Sequence, residues 1–241
     1  MFACLLAAAS GCQFELELVH RDGGVVQQDG AINADDGGAP EIDAALPAVN
    51  PCAGTVTARF DFAATSPADW DFFAYGEATS SLADGWLKVE YDSGDNGDSG
   101  GGIFEYNTHD ITDGSVITRV QPPSDLIGRF AGINVRQAEV EDPANLELEL
   151  NGGQVIVFHD GDLVFVTSYQ PPEGIYLRIA HAGDSDFDFD SSEDGTSWTT
   201  WHTVSDPTLD LDLRASLASG SYMVDNEPAT TYYDELIWCQ M

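Results

Sequence analysis

Short runs of alternating apolar and polar residues recur from position 55 to the end of this chain, divided by turn-forming residues. In Thr55-Val56-Thr57-Ala58-Arg59-Phe60-Asp61-Phe62 the apolar Val56, Ala58, Phe60 and Phe62 share one face, because successive side chains of a strand point to opposite sides. The same period runs through Trp86–Tyr91, Ile103–Tyr106, Ser115–Val120, Phe130–Gln137, Leu146–Leu150, Val155–His159 and Leu163–Ser168. Between them stand Asp113-Gly114, Asn151-Gly152-Gly153, Asp160-Gly161 and Pro171-Pro172-Glu173-Gly174, which suit turns. No segment of helical length carries a 3.6-residue apolar stripe. Strands with one apolar side must bury it against another layer, so the pattern predicts an all-β antiparallel sandwich or barrel of about 190 residues. The absence of an internal sequence repeat argues against a propeller.

The stretch from Gly174 to Trp201 allows a register test. A three-residue loop at Ala182-Gly183-Asp184 sets Leu177 and Ile179 opposite Phe189 and Phe187. Arg178 then faces Asp188 across the hairpin, an opposite-charge pair. A slip of one residue would press Leu177 and Ile179 against aspartates, so the pattern rejects it.

The chain has 241 residues, with 42 Asp+Glu against 8 Lys+Arg and a formal charge of −34. Such a polyanion repels nucleic-acid backbones and anionic headgroups, which excludes both as polybasic-type partners. Its first twelve residues, MFACLLAAASGC, are apolar and end in small residues before a cysteine. That ending, Ala9-Ser10-Gly11-Cys12, resembles a bacterial lipobox, which implies a lipoprotein-type signal over residues 1–12 that is cleaved before Cys12, whose lipidated cysteine becomes the new N-terminus. Residues 13–51 are dominated by Gly, Ala, Asp and Pro, and are expected to form a flexible acidic tether. Cys52 and Cys239 bracket the remaining 52–241 segment, and an even pair in an exported chain predicts a disulfide.

Several segments resemble the concanavalin A-like lectin/glucanase superfamily, in particular bacterial laminin-G-like modules. They are Phe130-Ala131-Gly132-Ile133-Asn134-Val135-Arg136, Tyr176-Leu177-Arg178-Ile179, the hairpin Ser191–Trp198, and the closing Thr231–Trp238 strand. The resemblance implies a jelly roll of two packed antiparallel sheets, one of them concave, on which either sugar binding or glycoside hydrolysis can be built.

Laminarinase-like enzymes of that superfamily carry E-x-D-x-x-E on one strand. The nearest segment here is Glu147-Leu148-Glu149-Leu150-Asn151-Gly152, with Gly152 where the third acid is expected. Alternation puts Glu147, Glu149 and Asn151 on one face, taken at this level as a solvated strand face without catalysis. Asp92, Asp95, Asn96 and Asp98 crowd oxygen donors into a Gly-rich loop, a candidate calcium site because hard cations seek such oxygens. Asp184, Asp186, Asp188 and Asp190 alternate with other residues and read as a second solvated face.

For sugar binding, aromatic rings edged by hydrogen-bonding groups are required. Trp70, Tyr75, Trp201, Tyr222, Tyr232 and Tyr233 are the available rings. Trp198 and Trp201 lie three apart, so if Trp198 packs inward Trp201 is exposed. The expected ligand-binding set is Trp201, Tyr176, Arg178 and Asp188.

The sequence therefore predicts a lipid-anchored lipoprotein on a bacterial outer membrane or cell surface. Its jelly roll would bind carbohydrate with calcium assistance and without catalysis. A structural or adhesion module contacting envelope proteins, and a glycoside hydrolase using Glu147 and Glu149, are the alternatives. Cys12→Ser should release the protein from membranes and abolish palmitate labelling; equal labelling of variant and wild type would remove the anchor.

Overall fold

A computed structural model describes residues 49–62, 69–92, 98–123, 127–137, 144–172, 174–222 and 227–240. The strands are β1 (Thr55–Phe60), β2 (Trp70–Tyr75), β3 (Glu77–Ala83), β4 (Trp86–Asp92), β5 (Ser99–Glu105) and β6 (His109–Asp110). They continue as β7 (Gly114–Gln121), β8 (Arg129–Gln137), β9 (Asn145–Asn151), β10 (Gln154–His159) and β11 (Asp162–Ser168). The last five are β12 (Ile175–His181), β13 (Asp186–Ser192), β14 (Thr199–Ser205), β15 (Asp212–Ser221) and β16 (Ala229–Gln240). Among the described residues no helix is long and apolar enough to cross a membrane.

All pairings are antiparallel and fall into two sheets. Sheet I runs β14-β13-β12-β7-β16-β4-β3, with β1 added beside β16; sheet II runs β11-β10-β9-β8-β15-β5-β2, with β6 beside β15. The alternation decides which face of each strand enters the core. Leu146, Leu148 and Leu150 of β9 point inward with Ile133 and Val135 of β8 and Leu213 and Leu217 of β15. They meet Leu87, Val89, Val116, Leu177, Ile179, Phe187 and Phe189 from sheet I. Burying an apolar side chain of this size contributes ~1.5–3 kcal/mol, so each inward strand face selects its own register. The all-β sandwich expected from the pattern is the observed architecture.

Hairpin β12–β13 differs from the predicted pairing. Ile179 lies opposite Phe189 and Arg178 opposite Asp190, not Asp188. The turn is longer: Ala182 N–H donates to the Asp186 carbonyl at 2.8 Å and Asp186 N–H to that of Gly183 at 3.0 Å. Gly183 and Asp184 both take positive φ there, 96° and 52°. The shift is two residues, which leaves every side chain on its predicted face, so hydrophobic patterning could not detect it.

A second, smaller apolar cluster covers the outer side of sheet I. It contains Ile117, Tyr176, Ile237, Cys52 and Cys239, with Val56 and Trp198 packed against it. Cys52 and Cys239 are bonded, with Cα atoms 5.6 Å apart and a sequence separation of 187. The bond ties the segment leading into β1 to the end of β16.

One side chain joins the two sheets by hydrogen bonds. Tyr233 of β16 is fully buried, and its hydroxyl crosses the interior to sheet II. There it accepts from the Gly132 N–H at 3.1 Å and donates to the Ala218 carbonyl at 2.5 Å. Gly132 and Ala218 are directly opposite each other on β8 and β15.

Two outcomes follow from this packing. Tyr233→Phe should cost about 1–3 kcal/mol by chemical denaturation, because it strands a buried N–H. Cys52→Ser should cost up to about 5 kcal/mol, since so long a loop is closed, and reductant should match it in wild type but not in the variant.

Candidate active site

The outer face of sheet II is assembled in rows, because directly opposed residues of neighbouring strands share a face. Glu147 of β9 stands opposite Asn134 of β8, and Asn134 opposite Ser216 of β15. In the next row Glu149 faces Gly132, which faces Ala218, which faces Gly102 of β5. Asn151 faces Phe130, and Phe130 faces Gly220. Outward Glu147, Glu149 and Asn151 are the reverse side of the inward leucines, so the strand's apolar half fixes where its carboxyls point.

This surface is not a solvated face, which corrects the expectation for Glu147 and Glu149. Glu149 is only 3% exposed, and Glu147 is half-buried. Gly132 makes that proximity possible: a Cβ there would come within 2.7 Å of the Leu148 carbonyl and 3.2 Å of the Glu149 Cγ. Tyr75 lies across the sheet in the same way, its hydroxyl 2.5 Å from where a Cβ on Gly100 would sit. Phe130 and Tyr222 stack with centroids 4.7 Å apart.

Glu149 Oε2 accepts from Asn151 Nδ2 at 3.3 Å, and Oε1 from the Tyr222 hydroxyl at 3.4 Å. Glu149 and Glu147 are hydrogen-bonded to each other, and Glu147 also bonds Asn134. Burial, and then the adjacent Glu147 charge, push Glu149 well above the usual carboxyl range. Glu147 is also raised by burial, but its bonds to Glu149 and Asn134 act in the opposite direction. Two carboxyls so close cannot both ionise cheaply, and burial with the neighbouring charge favours the protonated form most strongly at Glu149. Burial and these same carboxylates push the Tyr222 and Tyr75 phenols up too.

Farther along the face, Arg136 of β8 lies directly opposite Arg214 of β15. The Arg136 guanidinium is 5.9 Å from the Phe104 ring centre. Burial, then the neighbouring Arg214 charge, lower Arg136 from its ordinary value.

The expected ligand set does not gather here, since its members lie on β12, β13 and β14 of sheet I. Tyr176 is 8% exposed and belongs to the outer apolar cluster. Arg178 pairs with Asp190 at 2.7 Å, and its guanidinium covers the Trp198 ring at 4.1 Å. Asp188 accepts from the Thr203 hydroxyl at 2.6 Å. Trp201 is half-buried against the core, edge-on to Tyr169 at 5.0 Å, and donates to Ser191 Oγ at 2.9 Å. The two tryptophans lie on opposite faces, as their spacing of three predicts, but with the sides exchanged: Trp198 packs on the outer cluster and Trp201 against the core. The β13 aspartates are not uniformly solvated either, as Asp190 is fully buried.

Of the calcium candidates, Asp92 and Asp98 are described, whereas Asp95 and Asn96 lie outside the described residues, as does Cys12. Among the described residues one group of metal-ligating side chains comes together, His159, Asp160 and Asp206, with ligand atoms within 4.8 Å. Sequence reading missed it because its parts come from two distant turns. His159 Nε2 is already hydrogen-bonded to Asp206 Oδ2 at 2.9 Å. Asn134 and Arg136 were also missed, although the alternation Ala131-Ile133-Val135 already turns both outward.

No family model matches the sequence, and no curated protein matches it. Solved structures do. The laminarinase catalytic domain from Thermotoga maritima superposes with a TM-score of 0.60 at 12% identity, covering 78% of this chain and 99% of that one. Bacillus licheniformis β-glucanase gives 0.57 at 9% identity, over 76% and 97%. A structure from work on endo-acting O-glycanases of human gut microbiota that initiate mucin breakdown gives 0.59 at 13%, over 76% and 98%. These neighbours, enzymes by name, correct the expectation of a non-catalytic binding module. The fold is the concanavalin A-like jelly roll.

Proposed function

We infer that this protein is a glycoside hydrolase in which Glu149 is the general acid and Glu147 the attacking carboxylate. The carboxyl pair carries this reading: both groups face outward from one strand two residues apart, and burial with the neighbouring charge pushes Glu149 toward its protonated form more strongly than Glu147. Glycosidic cleavage needs that asymmetry, an acid for the leaving oxygen and a carboxylate for the sugar carbon. The glycan-degrading neighbours support it from the side of the fold.

In this scheme Glu149 gives its proton to the glycosidic oxygen as the bond to the anomeric carbon breaks. Glu147 forms the bond to that carbon. Water then enters, Glu149 takes its proton, and the glycosyl ester is released with both carboxyls restored. Straddling a bond in this way requires a separation of ~5–5.5 Å, so the entering sugar must part the two groups. The chain departs from the laminarinase-like E-x-D-x-x-E pattern at Gly152, and neither Asn151 nor Gly152 carries an acidic proton, which leaves the acid's role to Glu149. The disulfide between Cys52 and Cys239 supports an extracytoplasmic setting.

Reducing-end release from laminarin, mixed-linkage β-glucan and mucin glycans tests the reading. Glu149→Gln and Glu147→Gln should each lower the rate at least ~10²-fold; variants as fast as wild type would end it. Stability gives an independent check with a definite sign. Unfolded Glu149 ionises near ~4.3, whereas the folded group keeps its proton at higher pH. Its favourable contribution is complete below the unfolded value and is lost as pH rises through the folded one. Glu149→Gln mimics the protonated state, so it should flatten this decline in a pH series of denaturant melts.

A further inference from the structure

The pairing of Arg136 with Arg214 is unexpected in a chain of charge −34. Such a chain has ample carboxylate to neutralise its cations, and elsewhere it does. Arg59 binds Glu235, Arg119 binds Asp234, Arg178 binds Asp190, and Lys88 binds Glu90. Arg129 donates to the Glu227 carbonyl at 3.0 Å. Among the described residues, neither Arg136 nor Arg214 forms an ion pair. They face each other instead, and like charges opposed across a strand pair destabilise it.

Arg214 carries a further cost. Its Nε is buried and has no hydrogen-bond partner, and an unmet donor on a cation is more expensive than a neutral one. Asp71, elsewhere on this face, accepts from the Phe72 amide at 3.0 Å and the Tyr106 hydroxyl at 3.2 Å. Two half-buried arginines therefore face each other with donors to spare, the Arg136 guanidinium over the Phe104 ring.

Their position connects them to the carboxyl pair. Asn134 is directly opposite Glu147 and bonds it, and Arg136 is the next outward residue on β8, ~7 Å farther along. Arg214 is one strand beyond. A substituent on a neighbouring sugar of a chain bound over Glu147 falls within reach of both guanidiniums.

We propose that Arg136 and Arg214 form an anion-binding subsite, so that the substrate of this cleft is an acidic glycan bearing sulfate esters or uronate carboxylates. The proposal rests on the hydrolase reading for the glycan's position, while the anion site rests on the arginine pair alone. Guanidinium forks match both oxyanions in planar, two-bond geometry. An anion between the arginines would supply the acceptor that Arg214 Nε lacks and remove their mutual repulsion. Because the protein as a whole repels polyanions, attraction must be local, and at physiological salt repulsion from charges beyond ~8 Å is largely screened.

The test is equilibrium binding of the purified full chain to three probes: a sulfated galactan, a polyuronate and neutral laminarin. At least one anionic probe should bind more tightly than laminarin, and the one that does identifies the oxyanion. Arg136→Gln and Arg214→Gln should each weaken that binding about tenfold, with laminarin affinity unchanged. Neither substitution should lower the thermal midpoint, because each relieves a like-charge contact; a merely structural arginine would lower it. Anionic probes that bind no better than laminarin, or as well to the double variant as to wild type, overturn the proposal. Binding that behaves as expected with no hydrolysis of any probe sinks the hydrolase reading and leaves the anion subsite standing.

Discussion

Everything in this molecule depends on two sheets that are each apolar on one side and must close on each other. Leucine, isoleucine and phenylalanine side chains from both layers fill that interior, and the fully buried Tyr233 spans it. Its hydroxyl bonds the backbone of β8 and β15 at Gly132 and Ala218. Sheet II is thereby held from beneath, directly behind the row that contains Glu149. A polar crossing inside a dry core is costly unless every group is met, and here both directions of the hydroxyl are used.

The outward face inherits its chemistry from that closure. Leu146, Leu148 and Leu150 are committed to the interior, so Glu147 and Glu149 have only the opposite side available. Glycine at 132 then lets Glu149 settle against the sheet, where Tyr222 and Asn151 bond it. Desolvation and the adjacent charge favour the protonated form of Glu149. Burial costs stability at neutral pH and yields an acid beside a base, an exchange common where function overrides packing.

Charge is arranged unevenly across the two outer faces. On sheet I, Arg178 is neutralised by Asp190 and lies over Trp198, joining the cover that Cys52 and Cys239 complete. The residues expected to bind ligand there take part in packing and pairing. On sheet II, among the described residues, Arg136 and Arg214 form no ion pair, and Glu147 and Glu149 stand side by side facing outward, so this face keeps interaction capacity for something outside the chain.

Much of the fold was legible in the residues. Alternation marked β1, β4, β7, β8, β9, β10 and β11, gave the outward side of Glu147 and Glu149, and named Cys52 and Cys239 as partners, because period two and an even cysteine count are local facts. Turn length and burial are different in kind. The β12–β13 register moved by two without changing any face, so Arg178 met Asp190; Trp198 and Trp201 kept the opposite faces their spacing requires, but it was Trp201 that went inward. A solvated carboxylate and a buried one have the same sequence, since desolvation is set by Gly132, Tyr222 and Asn134 arriving from distant strands. Sequence by itself determined which side chains could face together; only the tertiary structure decided which of them lost their water, and that loss is what pushes Glu149 toward its protonated form.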